Sequence, residues 1–320
     1  MNIYMKKCII TCFLLLYVIS LTAQTESQTE YNFLRLPVSA HAAALGGENI
    51  TMADDDVMMM LHNPALLIGA SPQTVALQYM NYMSGCNNAS AAYNMVFDEK
   101  WNVGVGVQYM GYGSMKQTDM NNNDLGTFSA TDIALNATLA YELAQNLAGG
   151  ITLKYIYGNI GSYTSMAVAA DLGANLYLPE TEWSFSMAVK NLGGQIKAYD
   201  ENFEKMPLDV QVGVSKRLMN SPLRLHATLV DLNHLNYKFV NHLVIGAEFL
   251  LGEQFYVAGG YNCRRASEMK TYDADKNASS HGAGLSLGAG LNLERFKVNV
   301  AYGKYHVSSS SIIANVAFTL

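Results

Sequence analysis

The sequence predicts an all-β chain: a transmembrane antiparallel up-and-down β-barrel of about 14 strands enclosing an N-terminal α-helical hatch. Three observations carry that expectation. From residue 74 onward, apolar residues alternate with polar or small ones at period two, with hardly a break. The connections between these stretches are alternately short and long, as in barrels with tight periplasmic turns and larger outer loops. The composition is 50% hydrophobic and only 14% charged, with 20 Tyr and 26 Gly against 6 Pro, where a soluble domain carries about 25% charged residues. Such a surface suits lipid.

The chain opens with a segment of another kind. Lys6 and Lys7 precede an apolar run over 8–21, and the small residues before Gln24 suit a signal peptidase, so 1–23 reads as a signal peptide cleaved near Ala23. The run falls short of the roughly 20 residues of a spanning helix. Neither Cys8 nor Cys12 lies in a lipoprotein-type context, so no lipid anchor is expected. Cleavage takes two Lys and no acid, moving the net charge from −6 to −8 and speaking against nucleic acid as a partner. Cys86 and Cys263 remain. An oxidising compartment permits a disulfide between them, and their spacing supports no metal site.

Residues 24–73 form the lead-in and the expected hatch. ADDDVMMMLHNPALL (53–67) is its centre. Asp54, Asp55 and Asp56 suit a helix N-terminus, where carboxylates cap free N–H groups and meet the positive end of the dipole. Met58, Met59 and Met60 continue a run that is apolar on every side, which implies burial, and Met fills irregular space. Pro64 pushes Asn63 out of the helical region, and Ala65 starts a new turn. An unplugged barrel of this size would leak, so a compact, kinked lumen plug is the expected role.

The barrel follows over 74–320. In KWNVGVGVQYMGY, Trp101, Val103, Val105, Val107 and Tyr109 oppose Asn102, Gly104, Gly106 and Gln108. The same split runs through SMAVAADLGANLYL, LDVQVGV, RLHATL, HLVIGAEFLL and FKVNVAY. The predicted strands lie near 74–82, 87–97, 100–112, 127–141, 146–157, 165–178, 183–192, 208–219, 222–231, 239–250, 254–264, 280–291, 296–305 and 310–320. Tight turns are expected at 98–99, 179–182, 220–221, 252–253 and 294–295, and long loops at 113–126, 193–207 and 265–279. Tyr79, Tyr109, Tyr141, Tyr155, Tyr157, Tyr177, Trp183 and Tyr302 fall near strand ends, where aromatic girdles sit. Period two assigns Asp132, Lys154, Asp171, Lys190, Asp209, Arg224, His226, His242 and Glu248 to the lumen, which is polar in such barrels.

SAHAAALGG, the acidic cluster and Asn63-Pro64-Ala65 directly before the first strand resemble the N-terminal region of the PorV/PorQ family of Bacteroidetes outer-membrane proteins, relatives of FadL-type channels. Length, the FLRLP start and the lack of extra domains resemble its PorQ branch. The motif-specific part of the likeness spans 33–67. It implies a fourteen-stranded FadL-like barrel with a hatch, in which Asn63, Pro64 and Ala65 match the hatch motif. It also implies a role in the type IX secretion system, supporting export and surface attachment of proteins. Two positions depart from the family pattern: the chain ends Phe318-Thr319-Leu320 rather than on an aromatic residue, and His41 stands where Arg is expected.

No cofactor and no catalytic role are expected. The sequence has no HExxH or P-loop and no G-x-S-x-G in context: Gly-rich GAGLSLGAG (282–290) alternates like a strand and precedes no helix. Acids, bases and His share the lumen, but spacing assembles no catalytic trio. The expected partners are outer-membrane lipid, type IX components or secreted cargo, and a hydrophobic ligand or detergent in the lumen. The alternative reading is a FadL-like outer-membrane channel for a hydrophobic small molecule. An apolar plug could cradle a lipid tail or simply pack a hatch, and the sequence does not decide between them.

Overall fold

The computed structural model describes residues 29–98, 100–252, 254–269, 271–272, 278–306 and 309–320. The predicted signal peptide lies outside the described residues. Strands β1 Thr74–Asn81, β2 Asn87–Asp98, β3 Trp101–Thr118, β4 Asp124–Ala144, β5 Leu147–Ile160, β6 Tyr163–Leu178 and β7 Trp183–Lys197 build one side of the wall. The other side is built by β8 Asp209–Arg217, β9 Leu223–Leu229, β10 Leu243–Leu251, β11 Phe255–Asn262, β14 Leu285–Asn292, β15 Phe296–His306 and β16 Ser309–Thr319. Each pairs antiparallel with its neighbours, and β1 closes on β16 through Thr74↔Thr319 to Asn81↔Ile312. The result is a closed barrel of 14 strands. A two-stranded ribbon, β12 Thr271–Tyr272 with β13 Ala278–Ser279, lies apart from it.

Alternation decides which way each side chain points, because successive Cβ atoms leave opposite faces of a strand. In β1 it is unbroken: Gln78 is buried while Leu77 is 58% exposed. Outward Val105, Leu153 and Met187 are exposed, while inward Asn102, Gln108, Asn136, Thr152 and Ser186 are buried. The barrel is therefore apolar outside and polar inside, the inverse of a soluble sandwich and the arrangement that lipid selects.

Turns at the end shared by Thr74 and Thr319 are short, and Asn146, Glu182, Asn220 and Gly252 take left-handed conformations there. Asn and Gly do so at little cost. At the opposite end the expected loops are partly ordered. Residues 113–126 are an extension of β3 and β4: β2 pairing stops at Gly111 and β5 pairing starts at Ala130, so the ribbon stands alone beyond them. Its tip is tied by the Asp119 carboxylate, which accepts from the Asn121 and Asn123 N–H groups at 2.9 and 2.8 Å. The 265–279 loop begins inside a short helix, Cys263–Glu268, and carries β12 and β13. The strand expected from 239 starts at Leu243, after the 3-10 turn Phe239–His242.

Cys86 and Cys263 are free thiols, so the disulfide that the compartment would permit is not formed. Cys86 sits between β1 and β2 and Cys263 follows β11, with β16, β15 and β14 between those walls. At about 4.8 Å per strand, that separation exceeds the roughly 4.4–6.8 Å between Cα atoms that a disulfide spans.

Candidate functional site

Residues 29–73 pack inside the barrel. They contain a 3-10 turn Asn32–Arg35, the five-residue α-helix Ala40–Ala44, and 3-10 turns Val57–Leu61 and Pro64–Gly69. The expected helix at the Met run is thus a single tight 3-10 turn. Asp56 alone caps it, accepting from Met58 N at 2.9 Å, and His62 N bonds back to Met59 O at 3.0 Å. Asn63, extended before Pro64, stops it and caps the next turn by accepting from Ala65 N at 3.1 Å. Met58, Met59 and Met60 are fully buried.

The wall makes room for this segment with glycine. Met60 and Leu67 press on Gly104, Met60 also reaches Gly106, and Asn63 and Pro64 lie on Gly173. A Cβ at Gly150 would lie 2.5 Å from the Pro64 carbonyl carbon and 2.7 Å from Ala65 N. The inward Gly face of β3 was visible in the alternation; its partner was not.

Neutral hydrogen bonds from Asn102, Ser184, Ser286 and Asn315 to carbonyls of the segment add to this packing, and ion pairs complete it. Asp54 and Asp55 do not cap a helix but face wall cations. Arg224 Nη1 lies 2.7 Å from Asp54, and Lys297 pairs with Asp55 and also donates to its carbonyl at 2.7 Å. Burial opposes the charge on Asp55, but the ion pair with Lys297 and hydrogen bonds from Ser71 outweigh it and hold the carboxyl below its ordinary range. Burial dominates at Asp56 and raises its pKa despite the Ser39 hydroxyl, 2.7 Å away. His62 is neutral: burial first, then the charges of Lys190 and Lys154, push it well below 6.5.

Glu248 gathers three cationic or imidazole groups. Its Oε1 is 2.7 Å from His226 Nε2 and 3.0 Å from Arg224 Nε, and its Oε2 is 2.8 Å from His41 Nε2. Asn49 Nδ2 lies 2.9 Å from His226 Nδ1, and Asn49 Oδ1 already accepts from Thr51 and Met52, so the amide donates and His226 carries its proton on Nε2, toward Glu248. His41, Asp54 and Glu248 present ligand-type atoms within 4.8 Å of one another. With Arg224 inside that group, it forms a hydrogen-bonded ion cluster joining the N-terminal segment to the wall.

Elsewhere Lys154 bonds Asp171 at 2.7 Å and Asn191 at 2.8 Å, and Lys190 is 3.6 Å from Glu48. Asp209 accepts from Gln211 Nε2 at 2.6 Å and from Asp231 N at 2.7 Å, and Asp132 accepts from Tyr112 at 2.7 Å. Eight of the nine expected lumen groups stand on the inner wall in strands. His242 does not. It lies in the 3-10 turn before β10, at the long-loop end, with Nδ1 2.7 Å from Val230 O and its ring beside Tyr237. Period two could not place it because the strand had not yet begun. Lys297 and Gln211 were missed, although alternation in FKVNVAY and LDVQVGV put both inward. Glu48 and Arg35 lie outside the strands, where no periodic signal exists.

Two cavities flank the packed segment. One of about 380 Å³, at the long-loop end, touches Arg35, Glu48, Asp231, Arg264, Arg265 and Tyr305. The other, of about 500 Å³ at the short-turn end, touches His41, Asp54, Asp56, Arg224 and Lys297. Charged and amide residues outnumber apolar ones in both linings, with Met58, Leu250, Tyr256 and Leu293 adding apolar surface to the second.

No protein-family model matches the sequence, and no curated protein matches it. Solved structures do. The Pseudomonas putida toluene transporter TodX aligns over 88% of this chain and 98% of its own, with TM-score 0.57 and 14% identity. The CymD monoaromatic hydrocarbon channel covers 89% and 97%, with TM-score 0.58 and 12% identity. A Pseudomonas aeruginosa FadL homologue covers 88% and 97%, with TM-score 0.53 and 10% identity. At such identities the likeness is one of fold: this chain has a FadL-like barrel.

Proposed function

We propose that this FadL-like barrel is an outer-membrane channel for small molecules, and that residues 24–73 are the hatch that closes it. One observation carries the reading. Residues 29–73 lie across the lumen between a cavity at each end, and their contacts to the wall are ion pairs, hydrogen bonds and packing, all of which can break and re-form. The apolar exterior supports an outer-membrane location, as does the signal-type start. The solved structures it resembles are named for toluene and monoaromatic hydrocarbons, which favours a transport role and a hydrophobic cargo.

A second reading is a component of the type IX secretion system that acts through protein partners. It rests on the 33–67 resemblance to the PorV/PorQ family, including Asn63-Pro64-Ala65, and on the charged linings of both cavities, which do not favour a hydrocarbon. Deleting the gene separates the two. Impaired uptake of toluene or fatty acids with normal surface proteins supports the channel. Loss of exported surface proteins with normal uptake supports secretion and refutes the channel.

A further inference from the structure

Among the described residues, five strands of the wall reach both cavities. Ala76 of β1, Arg217 of β8, Arg224 of β9, Tyr256 of β11 and Lys297 of β15 touch the cavity at the short-turn end. Tyr82, Asp209, Val230, Asn262 and Tyr305, on the same strands or directly after them, touch the one at the long-loop end. Each of these inner faces is a candidate route past the hatch.

Four of them are held by the hatch itself. On β8, Thr51 and Ile50 press on Gly213, and Gln211 donates to Glu48. On β9, His226 is bonded to Glu248 and Asn49. On β11, the backbone at Leu45 and Gly46 lies on Gly260, where a Cβ would stand 2.2 Å from the Leu45 carbonyl carbon. On β15, the helix Ala40–Ala44 packs at Ala301, and the adjoining β14 takes Ala44 on Gly288 and bonds its carbonyl through Ser286. Opening any of these faces means moving hatch backbone.

The face of β1 differs. Ala76 and Tyr82 are six positions apart, about 20 Å of strand, and the inward side chains between them are Gln78 and Met80. Neither β1 nor β2 contains a glycine, so no notch draws the hatch backbone against this wall. Gln78 is buried, and neither its Nε2 nor its Oε1 has a hydrogen-bond partner. In register beside it stand Ser90 and then Gln108, and Ser90 Oγ and Gln108 Oε1 are unanswered too. Burial without a partner destabilises each of these groups, so the closed state is under strain along this row. Met80, fully buried between Gln78 and Tyr82, is an unbranched thioether that changes shape easily.

We infer that the route through the barrel runs along the inner face of β1, joins the two cavities when the Met80 side chain turns aside, and admits small neutral solutes bearing hydroxyl or amide groups. The inference rests on the channel reading and gives it a path, a gate and a class of cargo. Gln78, Ser90 and Gln108 supply donors and acceptors without charge, which match such solutes and do not neutralise an ion. With Met80 in place nothing reaches them; with Met80 displaced, a passing hydroxyl completes their hydrogen bonds.

The test uses the whole mature barrel in liposomes, with swelling driven by erythritol or by its acid, erythronate. Met80→Ala should speed erythritol entry severalfold over wild type and leave erythronate entry slow. Adding Gln78→Leu should reverse most of that gain, and Gln78→Leu alone, which preserves side-chain bulk, should slow erythritol below the wild-type rate. Ile156→Ala empties an equally buried inward position on β5 that touches neither cavity, and should leave entry unchanged. Heat-modifiable migration on gels confirms that each variant is folded. Erythritol entry no faster in Met80→Ala than in wild type or in Ile156→Ala, or insensitive to Gln78→Leu, would overturn the route; an equal gain for erythronate would overturn the cargo class. Gly150→Ala, which crowds the hatch at Pro64, separates this failure from that of the channel. Erythritol entry in Gly150→Ala but not in Met80→Ala removes the route and leaves the channel, whereas entry in neither removes both.

Discussion

Gly150 offers a way to lift the hatch without touching its residues or the lipid face. In Gly150→Ala the new methyl would stand 2.5 Å from the Pro64 carbonyl carbon and 2.7 Å from both Ala65 N and Pro64 O. Ordinary contact begins near 3.4 Å, so about 1 Å of movement is needed and all three atoms are backbone. Gly150 is held by ladders to Ala140 and Gly173 on either side, whereas Pro64 belongs to an isolated 3-10 turn, so the hatch should yield first. Overpacking of this kind costs about 1–3 kcal/mol. At about 1.4 kcal/mol per factor of ten, docking should weaken some 5- to 150-fold. Hydrogen exchange followed by mass spectrometry reads this directly, because amides protected only when the hatch is seated should exchange faster by the same factor across 63–67. Conductance in planar bilayers should rise with it. Gly194→Ala is the control, since a Cβ there meets nothing within 4 Å. Unchanged exchange at 63–67 in a folded Gly150→Ala barrel would refute the view that the wall glycines seat the hatch.

Lys154→Met strands the carboxylate of Asp171, whose side chain is 1% exposed; it should cost about 3–5 kcal/mol in urea unfolding followed by tryptophan fluorescence, and Lys154→Met with Asp171→Leu should recover much of that loss. The depressed pKa of His62 sets a direction for pH: above 6.5 both seated and released hatch carry a neutral imidazole, whereas below it the released form takes up a proton that the seated form refuses. Seating is therefore undiminished above pH 6.5 and weakens as pH falls, by up to about 1.4 kcal/mol per unit; His62→Gln should flatten that dependence in hydrogen exchange, and an unaltered slope would count against it. Unfolded, unreduced mature protein should take up maleimide at both Cys86 and Cys263, and a single or absent label would contradict their separation in the wall.

Strand after strand was legible because a wall between lipid and a polar lumen imposes one rule on every second residue, and that rule is local. Trp101 to Tyr109 show it residue by residue. Turn positions were legible for a related reason, since Asn220 and Gly252 tolerate the left-handed backbone that a tight turn requires. Where the rule lapses, so did the reading: His242 was placed in a strand that begins one residue later, and the ribbon of β3 and β4 beyond the wall was taken for loop because no face there is buried.

The sequence alone determined a lipid-facing barrel with a buried acid-and-methionine segment at its start, because alternation and an all-round apolar run are properties of neighbouring residues. Only the tertiary structure decided that Asp54 meets Arg224 rather than a helix end, that Glu248 gathers His41 and His226, and that Gly150 seats Pro64. Those pairs lie 86 to 207 positions apart along the chain, except for the 22 between His226 and Glu248. Closing the sheet on itself fixes which inward side chains face one another across the lumen, and that choice depends on strand register and hatch path together, neither of which any single stretch encodes.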